Sequence, residues 1–202
     1  LTSSWLERLR AWDEAGLHLI NGSLRNWFFD LLMPFVSNKW NFALPVAALL
    51  IYVLLFRPKR DRIIALCVIA VILLTDETGQ LLKDFFQRTR PFHPLSDTTR
   101  LVSFSFPSNH AGNMFALATF LSYNYPRLGF ACFPAAALVA YSRVYVGSHY
   151  PFDVLAGALW GVFIGLLSAV AVQRLMQTVQ VRHARRSKEK KDQPACGPET
   201  FQ

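Results

Sequence analysis

The chain has 202 residues, enough for one domain of ordinary size, and is 52% hydrophobic with 17 Phe and 5 Trp, yet its formal net charge is +8. Basic charge and long apolar runs coexist only when segregated, and here apolar runs fill positions 41–56, 63–74, 111–123, 128–140 and 154–172, with most of the charge between or after them. Lys and Arg that flank apolar segments mark membrane topology rather than a nucleic-acid groove, so the composition argues for an all-α, polytopic membrane bundle with no nucleic-acid partner.

In chain order, residues 4–20 read as an amphipathic helix: Trp5, Leu6, Leu9, Trp12 and Leu17 recur near helical spacing with charges between them. Such a helix lies in the headgroup region. Glu7, Arg8, Arg10, Asp13 and Glu14 leave no apolar core for a secretory signal in this stretch, and Asn21-Gly22 breaks the helix. Residues 24–36, containing Asp30 and Pro34, form a second apolar piece too short to span easily, hence interfacial or partly inserted. Positions 40–56 form the first clear span, with Trp40 and Arg57 at the two interfaces. The second begins near Asp61 and runs to about Phe86, and its polar second half, "TDETGQ", must face protein or a wet cavity. A polar loop over 87–106 precedes further spans over 108–123, 128–146 and 151–175. The expected organisation is an N-terminal interfacial part over 1–39, a transmembrane core over 40–176 with five to six membrane helices, and a basic tail over 177–202, disordered after about position 184. The three cysteines, two in apolar runs and Cys196 in the tail, make no disulfide framework.

Orientation follows from the cations. The connections at "RPKRDR" and "NYPR", with the tail, hold twelve of the 21 Lys and Arg, which places that side in the cytoplasm. The end of the second span, the start of the third and the turn between the last two then emerge together on the opposite face.

Each of these three stretches carries chemistry. Lys83 and Arg90 are seven residues apart, two helical turns, so both cations can point the same way, and Pro91 stops the helix. Pro107 precedes Ser108, a good N-cap, and the free N–H groups of the helix that follows make an anion site, with Asn109 and His110 within it. In "SRVYVGSHYPFD", Pro151 suits the first turn of a helix, and His149 and Asp153 lie four apart across its start. A carboxylate on one ring nitrogen fixes the tautomer and leaves the other lone pair outward, the arrangement of an oriented base or nucleophile. Arg143 offers a planar fork to phosphate oxygens. No Cys/His/Asp cluster has metal-ligand spacing, so the positive charge has to come from side chains and the helix N-terminus, and an anionic tetrahedral group fits best. His18, His93 and His183 lie outside these motifs, with His93 close enough to Pro91 to reach a substrate; Asp76 and Glu77, unusual inside a span, are expected to be buried near this end or paired with a cation.

Lys83/Arg90/Pro91, Pro107/Ser108/Asn109/His110 and Ser142/Arg143/His149/Asp153 resemble, in order and spacing, the K-x6-R-P, P-S-G-H and S-R-x5-H-x3-D motifs of the type-2 phosphatidic acid phosphatase family. Asn109 stands where that family usually has Gly. The resemblance implies that His149 attacks phosphorus to form a phosphohistidine, that Asp153 supports it, and that His110 protonates the leaving oxygen and then activates water. Lys83, Arg90, Ser108, the Asn109 amide and Arg143 would hold the phosphoryl oxygens, with no metal and no cofactor. It further implies a bacterial inner-membrane enzyme with its site facing the periplasm or exterior, acting on a membrane lipid phosphate. Undecaprenyl diphosphate is favoured, ahead of lipid A 1-phosphate and phosphatidylglycerol phosphate. A lipid phosphotransferase shares the same motifs, and a non-catalytic phospholipid-binding protein is the reading of another class.

Overall fold

The computed structural model describes residues 3–91 and 103–192. Among these there are seven α-helices and no strand. Helix α1, Ser3–His18, runs into a wider turn over Leu19–Ser23. Asn21 in that turn is buried and donates from Nδ2 to the Tyr145 carbonyl at 2.8 Å, so the break after α1 is also a clasp on the end of a later helix. Helix α2, Trp27–Ser37, is capped by Asn26, whose Oδ1 accepts from the Phe29 amide at 3.0 Å. Its 11 residues rise about 16 Å, roughly half the thickness of a hydrocarbon core.

A 3-10 turn over Lys39–Phe42 leads into α3, Ala43–Phe56, which buries none of its residues. A helix this apolar with nothing buried presents its surface to lipid. The short Arg57-Pro58 link turns the chain back into α4, Lys59–Phe86. The helices α5, Asn109–Asn124, α6, Gly129–Tyr145, and α7, Pro151–Asp192, complete the bundle. Helix α7 continues well past the span expected for it, because residues 173–192 carry no Gly or Pro and consist largely of good helix formers. His93 and Cys196 lie outside the described residues; Cys67 and Cys132 are free thiols.

Four segments are long and apolar enough to cross a membrane: Lys39–Phe56, Lys59–Phe86, Pro126–Tyr145 and Pro151–Arg182. Helix α5 does not qualify by length and composition, since it has 16 residues and begins with Asn109, His110 and Asn113. It packs instead against α4, α6 and α7. Its buried Ala116 and Phe120 form a core with Ile64 and Val71 of α4 and Ala169 of α7.

The α5–α7 contact is close because α7 repeats glycine every fourth residue. A Cβ on Gly157 would meet the Ser108 carbonyl oxygen at 2.3 Å, and one on Gly161 would meet the Gly112 carbonyl oxygen at 2.1 Å. Small residues at this spacing let two backbones approach in lipid, where there is no hydrophobic drive to bring helices together. The consequence is positional. The N-terminus of α5 is pinned against the first turns of α7, and the Ser108 amide donates to the Asp153 carbonyl at 2.9 Å.

Candidate active site

The three basic stretches of the sequence meet at one end of the bundle. Lys83, Arg90, Asn109, His110, Arg143 and His149 all line one cavity of about 850 Å³, whose remaining walls include Leu32, Phe35, Phe42, Val46 and Leu138. A charged end and an apolar flank in one cavity suit an amphiphile with an anionic head.

Helical phase does not bring Lys83 and Arg90 together, contrary to the expectation from their spacing. Helix α4 ends at Phe86, and Gln87 takes a left-handed conformation (φ 48°), its amide donating to the Lys83 carbonyl at 2.8 Å. The left-handed Gln87 thus ends α4 before Arg90 is reached, and Pro91 keeps Arg90 out of the helical region beyond it. Lys83 is 3% exposed. Its Nζ donates to the carbonyls of Phe104, at 3.2 Å, Ser105, at 3.4 Å, and Pro107, so it shapes the loop entering α5 as well as supplying charge. Arg90 is held by Ser103, with Nε donating to its carbonyl and Nη2 to its hydroxyl, both at 2.8 Å. Nη1 donates to the Ser148 carbonyl at 2.9 Å and lies 3.1 Å from Nε2 of His149.

His149 is 2% exposed. Burial, reinforced by the charges of Arg143, Arg90 and Lys83, holds its pKa well below the ordinary imidazole value. The ring is therefore neutral. Because a guanidinium only donates, Nε2 is the acceptor and the proton sits on Nδ1. The expected Asp153–His149 hydrogen bond is not formed: Nδ1 and Oδ2 are 3.7 Å apart, beyond bonding distance. The Asp153 carboxylate is engaged elsewhere, Oδ2 accepting from the Tyr150 amide at 2.9 Å and Oδ1 from Arg88 at 2.7 Å.

Ser108 occupies the N-cap position of α5, as its sequence context predicts, but its hydroxyl makes no cap bond and Oγ is buried without a hydrogen-bond partner. The amides of the first turn have no intrahelical acceptor in any α-helix, so they and the Ser108 hydroxyl supply donors beside His110. Arg143, in the last turn of α6, is 1% exposed and donates from Nη1 to the hydroxyl and carbonyl of Ser37 at the end of α2.

Three residues were not on the sequence's list. Arg88 lies in the same basic stretch as Lys83 and Arg90 and bridges Asp153 to Asp13 of α1, with Nη2 at 2.7 Å from Asp13 Oδ2. Composition signalled Arg88, but nothing in the sequence marks Asp13 apart from the other charges of an amphipathic helix. Asp76 resolves the oddity noted in the second span. It lines the cavity, and its Oδ1 accepts from Asn109 Nδ2 at 3.0 Å and from Asn113 Nδ2 at 3.2 Å. Glu77 is exposed. Asn109 fits here because residue 79 is glycine: a Cβ on Gly79 would meet the Asn109 amide oxygen at 2.7 Å.

Residues 62–177 match the PAP2 superfamily. The chain is 31% identical to the lipid A 4'-phosphatase of Bacteroides thetaiotaomicron over 195 residues, covering 87% of this chain and 83% of that protein. It is 37% identical to an undecaprenyl-diphosphatase of Sulfolobus acidocaldarius over 133 residues, 62% of this chain and 61% of that one. Its fold is similar to the crystal structure of a PAP2-type phosphatidylglycerolphosphate phosphatase from Bacillus subtilis, with a TM-score of 0.68 and 26% identity, over 83% of this chain and 87% of the other.

Proposed function

Because the chain belongs to the PAP2 superfamily and is a membrane lipid phosphatase of that family, we propose that it removes a phosphate from a lipid phosphate or diphosphate through a phosphohistidine on His149. The Nε2 lone pair attacks phosphorus as the bond to the leaving oxygen breaks, and His110 donates the proton that oxygen needs. His110 then takes a proton from water; the oxygen attacks phosphorus, the P–N bond breaks and inorganic phosphate leaves. Arg90, Lys83, Arg143, the Ser108 hydroxyl and the first-turn amides of α5 hold the phosphoryl oxygens, where donors fixed in advance count most. The observation that carries this reading is His149 itself: a buried, neutral imidazole with Nε2 turned toward Arg90 at the charged end of an otherwise apolar cavity. An incoming phosphate takes over the Arg90 N–H and so frees the lone pair that attacks it.

The lipid tail lies along the apolar wall formed by α2, α3 and α6, and the site opens on the face opposite the cation-rich connections, the non-cytoplasmic side by charge asymmetry. Undecaprenyl diphosphate is the first substrate to test, with lipid A phosphates and phosphatidylglycerol phosphate as the alternatives suggested by what the relatives are named for. The experiment is phosphate release by the purified protein in detergent across these lipids, with a chelator present. Release of phosphate with chelator, together with an acid-labile label on His149, is expected. Complete loss of activity on chelation, restored only by a divalent metal, overturns the mechanism.

A further inference from the structure

Asp13 sits on a helix whose neighbouring positions are open, with Trp5 53% and Trp12 67% exposed, yet its own side chain is 1% exposed. A carboxylate is not taken out of water on a surface helix unless it is paired and hydrogen-bonded. Asp13 is both. Oδ2 faces Arg88 Nη2 at 2.7 Å, and Oδ1 accepts from the Phe152 amide, next to Asp153, at 2.8 Å. Helix α1 is pressed onto the start of α7 closely enough that a Cβ on Gly16 would meet Pro151 at 3.1 Å. The guanidinium it holds lies over the Tyr150 ring, 4.1 Å from the centroid, and its other arm reaches Asp153. Ion pairs thus link Asp13 through Arg88 to Asp153, whose Oδ2 stands 3.7 Å from Nδ1 of His149.

We propose that Asp13 is a positioning residue for the reaction, which makes the N-terminal helix part of the catalytic apparatus. Asp13 does two things. It fixes Arg88 so that one arm of the fork, rather than the whole of it, meets Asp153. It also shares the guanidinium charge, so that Asp153 keeps enough negative charge to attract the Nδ1–H of His149 when the ring becomes cationic on attack. Without Asp13 the full charge of Arg88 falls on Asp153, and the imidazole loses basicity. The groups facing this array are Lys83, Arg90, His110 and Arg143, together with Tyr150 under the Arg88 guanidinium and Glu14 of α1, with Arg88 between the two carboxylates.

This inference rests on the phosphatase reading of His149, and its test separates the two. Full-length wild type, Asp13→Asn, Asp13→Glu and, as a same-helix charge control, Glu7→Gln are assayed in detergent with the lipid phosphate that the wild type cleaves best. Asp13→Asn is expected to lower kcat about tenfold or more with KM changed by less than about twofold, as for a small misplacement of a reacting group. The acid limb of its pH profile moves to lower pH, because removing a negative charge lowers the basicity of His149. Asp13→Glu recovers most of the rate, and Glu7→Gln matches the wild type. An Asp13→Asn protein that is folded by thermal melt and has wild-type kcat and an unmoved limb overturns the inference. Should Asp13→Asn not fold, Arg88→Lys decides: it keeps the charge but loses the two-armed fork, so kcat falls if the bridge positions Asp153 and holds at the wild-type value if it does not. A wild type that releases phosphate from none of the lipids brings down the phosphatase reading as well; an unchanged Asp13→Asn brings down this inference alone.

Discussion

Nη1 of Arg90 lies 3.1 Å from Nε2 of His149. Since the guanidinium has no lone pair to offer, that contact assigns the imidazole proton to Nδ1 and leaves the lone pair on Nε2, the atom proposed to attack phosphorus. His149→Asn is therefore expected to abolish phosphate release and labelling of the protein by a radioactive lipid phosphate. Arg90→Lys keeps a charge but loses the planar fork that reaches Ser103, Ser148 and His149 at once. A loss of about a hundredfold in kcat is expected from removing such a donor. An Arg90→Lys enzyme with wild-type kcat would show that the fork is not used.

The buried, cation-flanked His149 has a pH signature in folding. An unfolded imidazole titrates near about 6.5, whereas burial and the charges of Arg143, Arg90 and Lys83 keep the folded one well below its ordinary value. Below pH about 6.5 the unfolded chain takes up a proton that the folded chain refuses, so the stability contribution present above that pH is lost as pH falls toward the folded pKa. Denaturation midpoints measured in detergent from pH 7.5 down to pH 5 should fall more steeply for the wild type than for His149→Gln. Parallel curves would contradict a neutral buried ring. In the activity profile, the acid limb belonging to His149 should lie below pH about 6.5 for the same reason.

Asn109 and Gly79 form a matched pair. Asn109 bonds to Asp76 through space that a side chain at position 79 would fill. Gly79→Ala should therefore destabilise the wild type, by about 1–3 kcal/mol for overpacking. In an Asn109→Gly background the same change should be neutral or stabilising, since alanine is the better helix former by about 1 kcal/mol. A double-mutant cycle on thermal stability reads the coupling directly, and additive effects would rule the pairing out.

The contact between α5 and α7 sets the distance between the two halves of the site. A Cβ at Gly161 would meet the Gly112 carbonyl oxygen at 2.1 Å, an approach that backbone atoms cannot relieve without separating the helices. Gly161→Ala is expected to cost about 1–3 kcal/mol or more, and to lower kcat beyond what the lost stability explains, because α5 carries His110 and α7 carries Asp153. Gly161→Ala with unchanged melting and activity would mean that the helices are not packed this closely.

The apolar runs and the flanking cations determined by themselves that this chain is a helical membrane bundle, because the bilayer leaves few structures that satisfy every backbone group; they did not fix the number of spans, since the run over 111–123 lies in α5, which is short and polar at its start. The three motifs named side chains that come to line one cavity, Lys83, Arg90, Asn109, His110, Arg143 and His149, since the helix starts at Ser108 and Pro151 are local matters of backbone chemistry. What the side chains do once gathered was a tertiary decision. The carboxylate four residues beyond His149 looked like its hydrogen-bond partner, yet Asp153 is drawn to the Tyr150 amide and to Arg88. The seven-residue spacing of Lys83 and Arg90 looked helical, yet a left-handed Gln87 turns the chain back before Arg90 is reached. Asp13 and Asp153 are 140 positions apart in sequence and are joined by one guanidinium. Only the packing of α1 on the start of α7 brings them within reach of it, and periodicity within a single helix carries no record of which neighbour its one buried charge will meet.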